Sequence, residues 1–387
     1  MLGMSMFLPF LPLYVRELGV TEPGKVEAVS GLLFAAPFFA ATVATPVWGF
    51  LGDRHGRKLM VVRASFGLAI ATLLMGFART IPELLVLRVA QGAVSGFIAA
   101  ALALMASSAP RERMGYALGT LQTAIPTGTI LGPLIGGTLA DLVGYRQIFF
   151  VTAASNFVGG LLVIWLVRES TGRSRTAGLG RVLENYGTVF GTPQFRLLFL
   201  TLLGSQFALM ALQPVMALYV ESLGASGALL ATTTGVIFAV TGVASAIAAP
   251  RWGKGSDRKG YRRTLGRALL GAGLFAAPQG AVATPWQLFW LRIPYGAFLG
   301  GIVPSVHAMI GLRAPDERRA GIMGVTSTAL MLGNLTGPLV GGAVAGRFGL
   351  RSVFFLSAAV LVILLLGVYP RVREPERMAP GIPGPRP

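Results

Sequence analysis

Residues 48–58 read WGFLGDRHGRK, and residues 252–263 read WGKGSDRKGYRR. One charged turn is written twice in an apolar chain, and the copies mark a repeat that runs the length of the sequence. Pro46, Trp48, Gly49, Asp53, Arg54 and Gly56 return 204 positions later as Pro250, Trp252, Gly253, Asp257, Arg258 and Gly260. Arg88, Gly92 and Gly96 return as Arg292, Gly296 and Gly300. Further on the offset is 205, taking Gly132, Pro133, Gly136 and Gly137 to Gly337, Pro338, Gly341 and Gly342.

Between the repeated turns the chain is greasy. Hydrophobic residues make up 53% and charged residues only 12%, with a mean hydropathy of +0.68. Soluble domains carry roughly a quarter charged residues. Apolar runs of about 20 residues, each able to cross roughly 30 Å of hydrocarbon, recur from end to end. Twelve are read, near 1–18, 28–51, 59–78, 83–106, 114–140, 146–167, 195–220, 227–250, 264–283, 286–310, 319–345 and 351–370. They lack the polar outer face of a helix in a soluble core. The expected fold is an all-α polytopic membrane protein of two six-helix bundles. Six is even, so both halves start on the same side and the repeat is parallel, the plan of transporters that alternate access about a midplane site. The expected boundaries are 1–167 for the first bundle, 168–194 for a polar connector, 195–370 for the second bundle and 371–387 for a disordered tail. Only 15 residues precede Arg16. Either the natural start lies upstream of Met1, or the first helix begins within the bilayer.

The net charge of +18 suggests nucleic acid until its placement is read. With the N-terminus inside, the even-numbered turns and the tail hold 25 of the 33 Lys and Arg residues. That is the positive-inside bias, and it places both termini in the cytoplasm of a cell-membrane protein. There is no cysteine and there are two histidines, which excludes disulfides and thiolate or histidine metal clusters. No phosphate-binding GxxxxGK[ST], HExxH or GxSxG motif occurs, so neither an ATPase nor a hydrolase is expected, and no cofactor.

The motifs resemble those of the major facilitator superfamily. Gly49 to Lys58 is similar to its signature turn between helices two and three. Leu87-Arg88-Val-Ala-Gln91-Gly92 is similar to its helix-four motif. Gly128-Thr-Ile-Leu-Gly132-Pro133-Leu-Ile-Gly136-Gly137 resembles the helix-five motif of its drug:proton antiporter branch. The likeness to twelve-helix bacterial multidrug exporters covers nearly the whole chain. It implies export of small lipophilic compounds in exchange for protons, by a monomer without an ATPase partner.

Candidate roles follow. Gly49, Asp53, Arg54, Gly56, Arg57, Lys58 and Glu112, with Asp257, Arg258 and Glu317 in the second half, are expected to form a cytoplasmic latch. In it Asp53 faces the start of helix eleven and Arg57 pairs with Glu112. Gly128, Gly132 and Gly136, with neighbours Pro133 and Gly137, form a ridge of small residues suited to close helix contact, matched by Gly333, Gly337, Pro338 and Gly341. Gln122, Met331 and Asn334 sit on a polar-tinged stripe beside the ridges. Arg88, Gln91 and Arg292 are costly or polar within a span and should face the interior. Phe34, Phe38, Phe207, Met210, Phe238, Trp290 and Tyr295 are candidates for an adaptable apolar cavity. Arg88 and His307 are the candidates for proton coupling, with a structural Arg88 bonded to backbone carbonyls as the alternative. None of the 15 acidic residues lies near a midplane, a departure from many antiporters of this branch. Two further readings stay open: carriage of an anionic metabolite by Arg88 and Arg292, and a membrane receptor or scaffold that transports nothing.

Overall fold

The structure, a computed structural model, describes residues 2–108, 114–167 and 179–375. Twelve helical spans appear, and no strand occurs among the described residues. Span one is α1 (Leu2–Phe7), a 3-10 turn at Leu8–Phe10 and α2 (Leu11–Glu17). Spans two and three are α3 (Lys25–His55) and α4 (Arg57–Phe77). Span four is split into α5 (Ile81–Ala93) and α6 (Phe97–Ser108); α7 (Met114–Val143) and α8 (Tyr145–Leu166) complete the first half. The expected connector is helical in its second part, α9 (Leu179–Gly191). Residues 168–178 of the connector, Glu112 and residues 376–387 of the tail lie outside the described residues.

The second half opens with α10 (Pro193–Ala211), a 3-10 turn at Gln213–Val215 and α11 (Met216–Ser222) as span seven. Spans eight to eleven are α12 (Leu230–Lys259), α13 (Tyr261–Ala276), α14 (Pro285–Arg313) and α15 (Arg319–Phe348). Span twelve is α16 (Ser352–Ile363) with a π turn and a 3-10 turn to Arg371. Eight of these segments are long and apolar enough, each by itself, to cross a membrane. Spans one and four are interrupted, the first at Leu8–Phe10 by Pro9 and the fourth at Gly96, whose φ of +105° is left-handed.

Both copies of the doubled turn end a helix on glycine. Gly56 and Gly260 have φ of 101° and 94°, where any side chain would be strained, and each closes one helix and opens the next. The tryptophans of the copies also match. Trp48 Nε1 donates to Ala93 O at 2.6 Å and Trp252 Nε1 to Ala297 O at 2.7 Å, tying span two to four and eight to ten. Arg63 stacks on Trp48 with its guanidinium carbon 3.3 Å from the ring centroid. Tyr14 and Tyr219, 205 residues apart, donate to Ala78 O and Gln279 O, fastening spans one and seven to the ends of spans three and nine.

The bundles meet along two seams, α3 against α15 and α7 against α12. The end carrying the doubled turns is called inner here, following the charge bias. In the outer halves the backbones nearly touch. A Cβ on Gly31 would overlap Pro338 O, one on Gly342 would overlap Glu27 O, and one on Gly137 would overlap Ala231 O. In the inner halves the same helix faces stand open. Gly49, Gly119, Gly253 and Gly324 have nothing within 4 Å of a built Cβ, and Thr42, Pro46, Thr123, Pro126 and Ser327 are exposed. The molecule is pinched at the outer end and parted at the inner end.

Candidate functional site

The site is the wedge between the parted inner halves. Its walls come from the two seam pairs, and its roof is the outer pinch. Two polar contacts reinforce that roof across the bundles. Arg16 Nη1 meets Glu221 Oε2 at 2.5 Å, and the Asp141 carboxylate accepts from Ala231 N at 3.0 Å and Thr232 N at 2.7 Å. None of these three side chains is among the candidates read from the sequence, which places no acidic residue near a midplane. Their pairing joins residues 90 to 205 apart, so no local signal announced it.

The small-residue ridges lie against their own bundles. Gly128 O accepts from Ser5 Oγ at 2.7 Å, and Cβ atoms on Gly132 or Gly136 would collide with Ser5 or the Met6 carbonyl of span one. Gly333, Gly337 and Gly341 meet Gln206, Phe207, Met210 and Ala211 of span seven in the same way. Pro133 and Gly137 turn the other way, to Gly235 and Ala231 of α12, and Pro338 turns to Gly31 of α3. The motif therefore packs a fixed helix with one face and the opposite bundle with the next.

Of the cavity candidates, Gln122 is exposed, and Phe38, Phe207, Met210, Phe238 and Met331 are half-buried. Asn334 accepts from Gln206 Nε2 at 2.7 Å, joining spans eleven and seven. Six candidates are displaced from the wedge: Phe34, Tyr295, Trp290, Arg88, Gln91 and Arg292. Phe34 and Tyr295 are packed inside their bundles because their helix faces carry the core. Trp290 is 64% exposed with Trp286 one turn before it, on the side of α14 opposite Arg292, so it faces outward. Arg88 is 1% exposed and engaged: Nε donates to Leu33 O at 2.8 Å and Nη1 to Gln91 Oε1 at 2.6 Å. Pro37 explains this bond, since it has no N–H to return to the carbonyl four residues earlier.

Arg292 sits in the matching place without that partner. The residue equivalent to Pro37 is Thr241, which has an N–H, and the equivalent of Gln91 is Tyr295. Arg292 Nη2 donates to the sulfur of Met216 at 3.2 Å, its guanidinium carbon lies 5.6 Å from the Tyr295 ring centroid, and its Nε has no partner. Neither arginine reaches the wedge, which removes the geometric basis for an anion held between them. His307 is half-buried in α14 with its Nε2 unpartnered.

Two of the described latch residues make contacts within their own halves. Lys58 Nζ donates to Ile164 O at 2.8 Å in span six, and Asp257 accepts from Tyr261 at 2.6 Å. The start of span eleven is held by the connector, through Arg318 on Glu184 at 2.5 Å. Arg54, Arg258 and Glu317 are exposed, and nothing is described of the Asp53 side chain. A groove of about 570 Å³ lined by Leu74, Phe77, Pro82 and Val86 belongs to spans three and four alone, away from the seams.

The model of the Major Facilitator Superfamily matches residues 1–278 and 231–385, two overlapping stretches as a doubled chain should give. The chain belongs to the Major Facilitator Superfamily. It is thus a multi-pass membrane protein of a family that handles small-molecule substrates. It is 40% identical over 365 residues to the multidrug resistance protein MdtG of Enterobacter lignolyticus, covering 94% of this chain and 87% of that one. The MdtG protein of Citrobacter koseri is 39% identical over 358 residues, 92% and 88% of the two chains. Among solved folds, a bacterial homologue of the human lysosomal transporter Spinster aligns with a TM-score of 0.79 at 16% identity, covering 98% and 96%. A D-xylose–proton symporter aligns at 0.77 and 16%, covering 97% and 95%. Both superfamily structures speak to the fold alone.

Proposed function

We propose that this superfamily member exports small lipophilic, drug-like compounds in exchange for protons. Two bundles, residues 1–167 and 195–370 joined by 168–194, rock about the wedge and expose it to each side in turn. The reading rests on one observation above others: the helices that interlock in their outer halves stand apart in their inner halves. A rigid pore or a scaffold has no need of faces that can close at either end. Half-buried Phe38, Phe207, Phe238, Met210 and Met331 offer deformable apolar surface, while Gln122 and Asn334 supply neutral polarity. No arginine or carboxylate need accompany such a cargo. The likeness to MdtG proteins named for multidrug resistance supports this substrate class. The membrane is the bacterial cytoplasmic one, both termini lie inside, and the working unit is the monomer.

Purified protein in liposomes with an imposed pH gradient provides the test. Lipophilic dyes should move outward when the compartment facing the outer end is acidic, and flux should collapse with the gradient. Uptake of an organic anion alone would favour the metabolite reading, and absence of any flux would favour the scaffold.

A further inference from the structure

The outer pinch is not built the same way twice. At the seam of α3 and α15, α3 caps its own start, where Glu27 Oε2 accepts from Gly24 N at 2.7 Å. At the seam of α7 and α12, the N-cap of α12 is Leu229, which makes no side-chain bond. The residues 204 and 205 positions after Glu27 are Ala231 and Thr232, neither of which carries a carboxylate to reach back as Glu27 does. Their amides are taken by Asp141, from the last turn of α7 in the opposite bundle, with one carboxylate oxygen to each amide. The repeat partner of Asp141 is Gly346, which instead packs on the Gly24 backbone. One seam closes glycine on glycine, and the other closes on a charge.

We propose that Asp141 is a proton-binding site of the outer gate, whose ionised carboxylate clamps the bundles together and whose protonation releases them. The ionised group accepts two charge-assisted bonds and faces the positive end of α12. A proton on one oxygen removes the charge and turns that acceptor into a donor that faces an N–H. Opening the mouth breaks both bonds and leaves the first turn of α12 to water. The ionised form thus favours the shut gate, and by linkage a lower pH raises the open fraction. Other titratable groups share this mouth. Tyr145 on α8 lies within electrostatic reach of Asp141, Glu17, Glu221 and Arg16, and Arg146 acts on Glu17. Leu230–Gly235, the first turn of α12, contributes none. The clamp deepens the export reading by naming where an outside proton acts, and it requires only that the outer mouth opens.

The chain has no cysteine, so Thr21→Cys and Ser226→Cys, on exposed outer turns of opposite bundles, accept spin labels directly. Pulsed EPR distances in lipid nanodiscs, taken from about pH 7 down to about pH 3, should show a longer population growing as the pH falls through the ordinary carboxylate range. Asp141→Asn keeps the shape and one acceptor but no charge. It should shift the shut–open balance roughly three- to tenfold toward open at the neutral end and flatten the pH response. Glu221→Gln should keep the pH response. The proposal is overturned if Asp141→Asn titrates like the parent, if the response vanishes in Glu221→Gln instead, or if the distance is invariant with pH in the parent. Dye flux plays no part in this readout, so a protein that moves no dye yet opens with acid would sink the export reading and leave the clamp standing.

Discussion

Pro37 decides the fate of one arginine, and its absence from the second half decides the fate of the other. Without an N–H, Pro37 frees the Leu33 carbonyl inside a buried helix, and Arg88 fills the vacancy while Phe7 lies 5.5 Å beneath its guanidinium. Arg292 inherits the charge and not the vacancy. Truncating Arg88 orphans a buried carbonyl and one acceptor of Gln91, at a cost of about 1–3 kcal/mol for each group left unmade. Truncating Arg292 removes a buried charge that has a sulfur and the Tyr295 ring for company but no oxygen acceptor, a change that is neutral or stabilising when an apolar chain fills the space. Arg88→Met should therefore lower the thermal unfolding midpoint in detergent by several degrees, and Arg292→Met should hold or raise it. Equal losses would contradict this account. The arginines themselves were plain in the sequence as buried charges. Their unequal partners were hidden, because the carbonyl involved is 55 residues from Arg88.

At the scale of the element, neighbouring glycines of one helix do different work. Gly136 presses on the Met6 carbonyl of its own bundle, and Gly137 presses on the Ala231 carbonyl of the other. A Cβ at the first position must push apart two spans of one bundle, which the proposed rocking keeps together. A Cβ at the second obstructs only the shut outer mouth. Gly136→Val should reduce the yield of folded protein and its melting point. Gly137→Val should fold and melt as the parent does, yet lengthen the label distance across the outer mouth and slow dye flux. A normal distance in Gly137→Val would show that the seam has slack. The spacing of four predicted a ridge for close packing, and α7 and α15 have one. Which neighbour each glycine meets follows from helix rotation in the assembled bundle, which spacing alone leaves open.

For the whole molecule, the balance between mouths is a sum of small seam terms. The Arg16–Glu221 pair is 40% and 35% exposed at its side chains, so it contributes only about 0–1 kcal/mol and weakens in salt. A rocking equilibrium near balance still responds to that much. Arg16→Glu should raise the outward-open population a few-fold at low ionic strength. The swap Arg16→Glu with Glu221→Arg should restore the parent distances, and added salt should shrink both effects. Failure of the swap to restore them would remove the pair from the gate.

What the sequence determined by itself is the covalent plan: twelve apolar spans, a parallel duplication, glycines at the doubled turn and a basic inner side. Each is local or periodic, and a helix in hydrocarbon must satisfy its backbone within its own span, so local pattern and secondary structure coincide. The tertiary structure alone decided which end is shut. It withheld Phe34, Tyr295 and both arginines from the wedge and turned Trp290 outward, because lipid makes apolar residues welcome on every face and hydropathy cannot tell core from rim. It also joined Asp141 to the amides of α12, a bond between helix ends 90 residues apart.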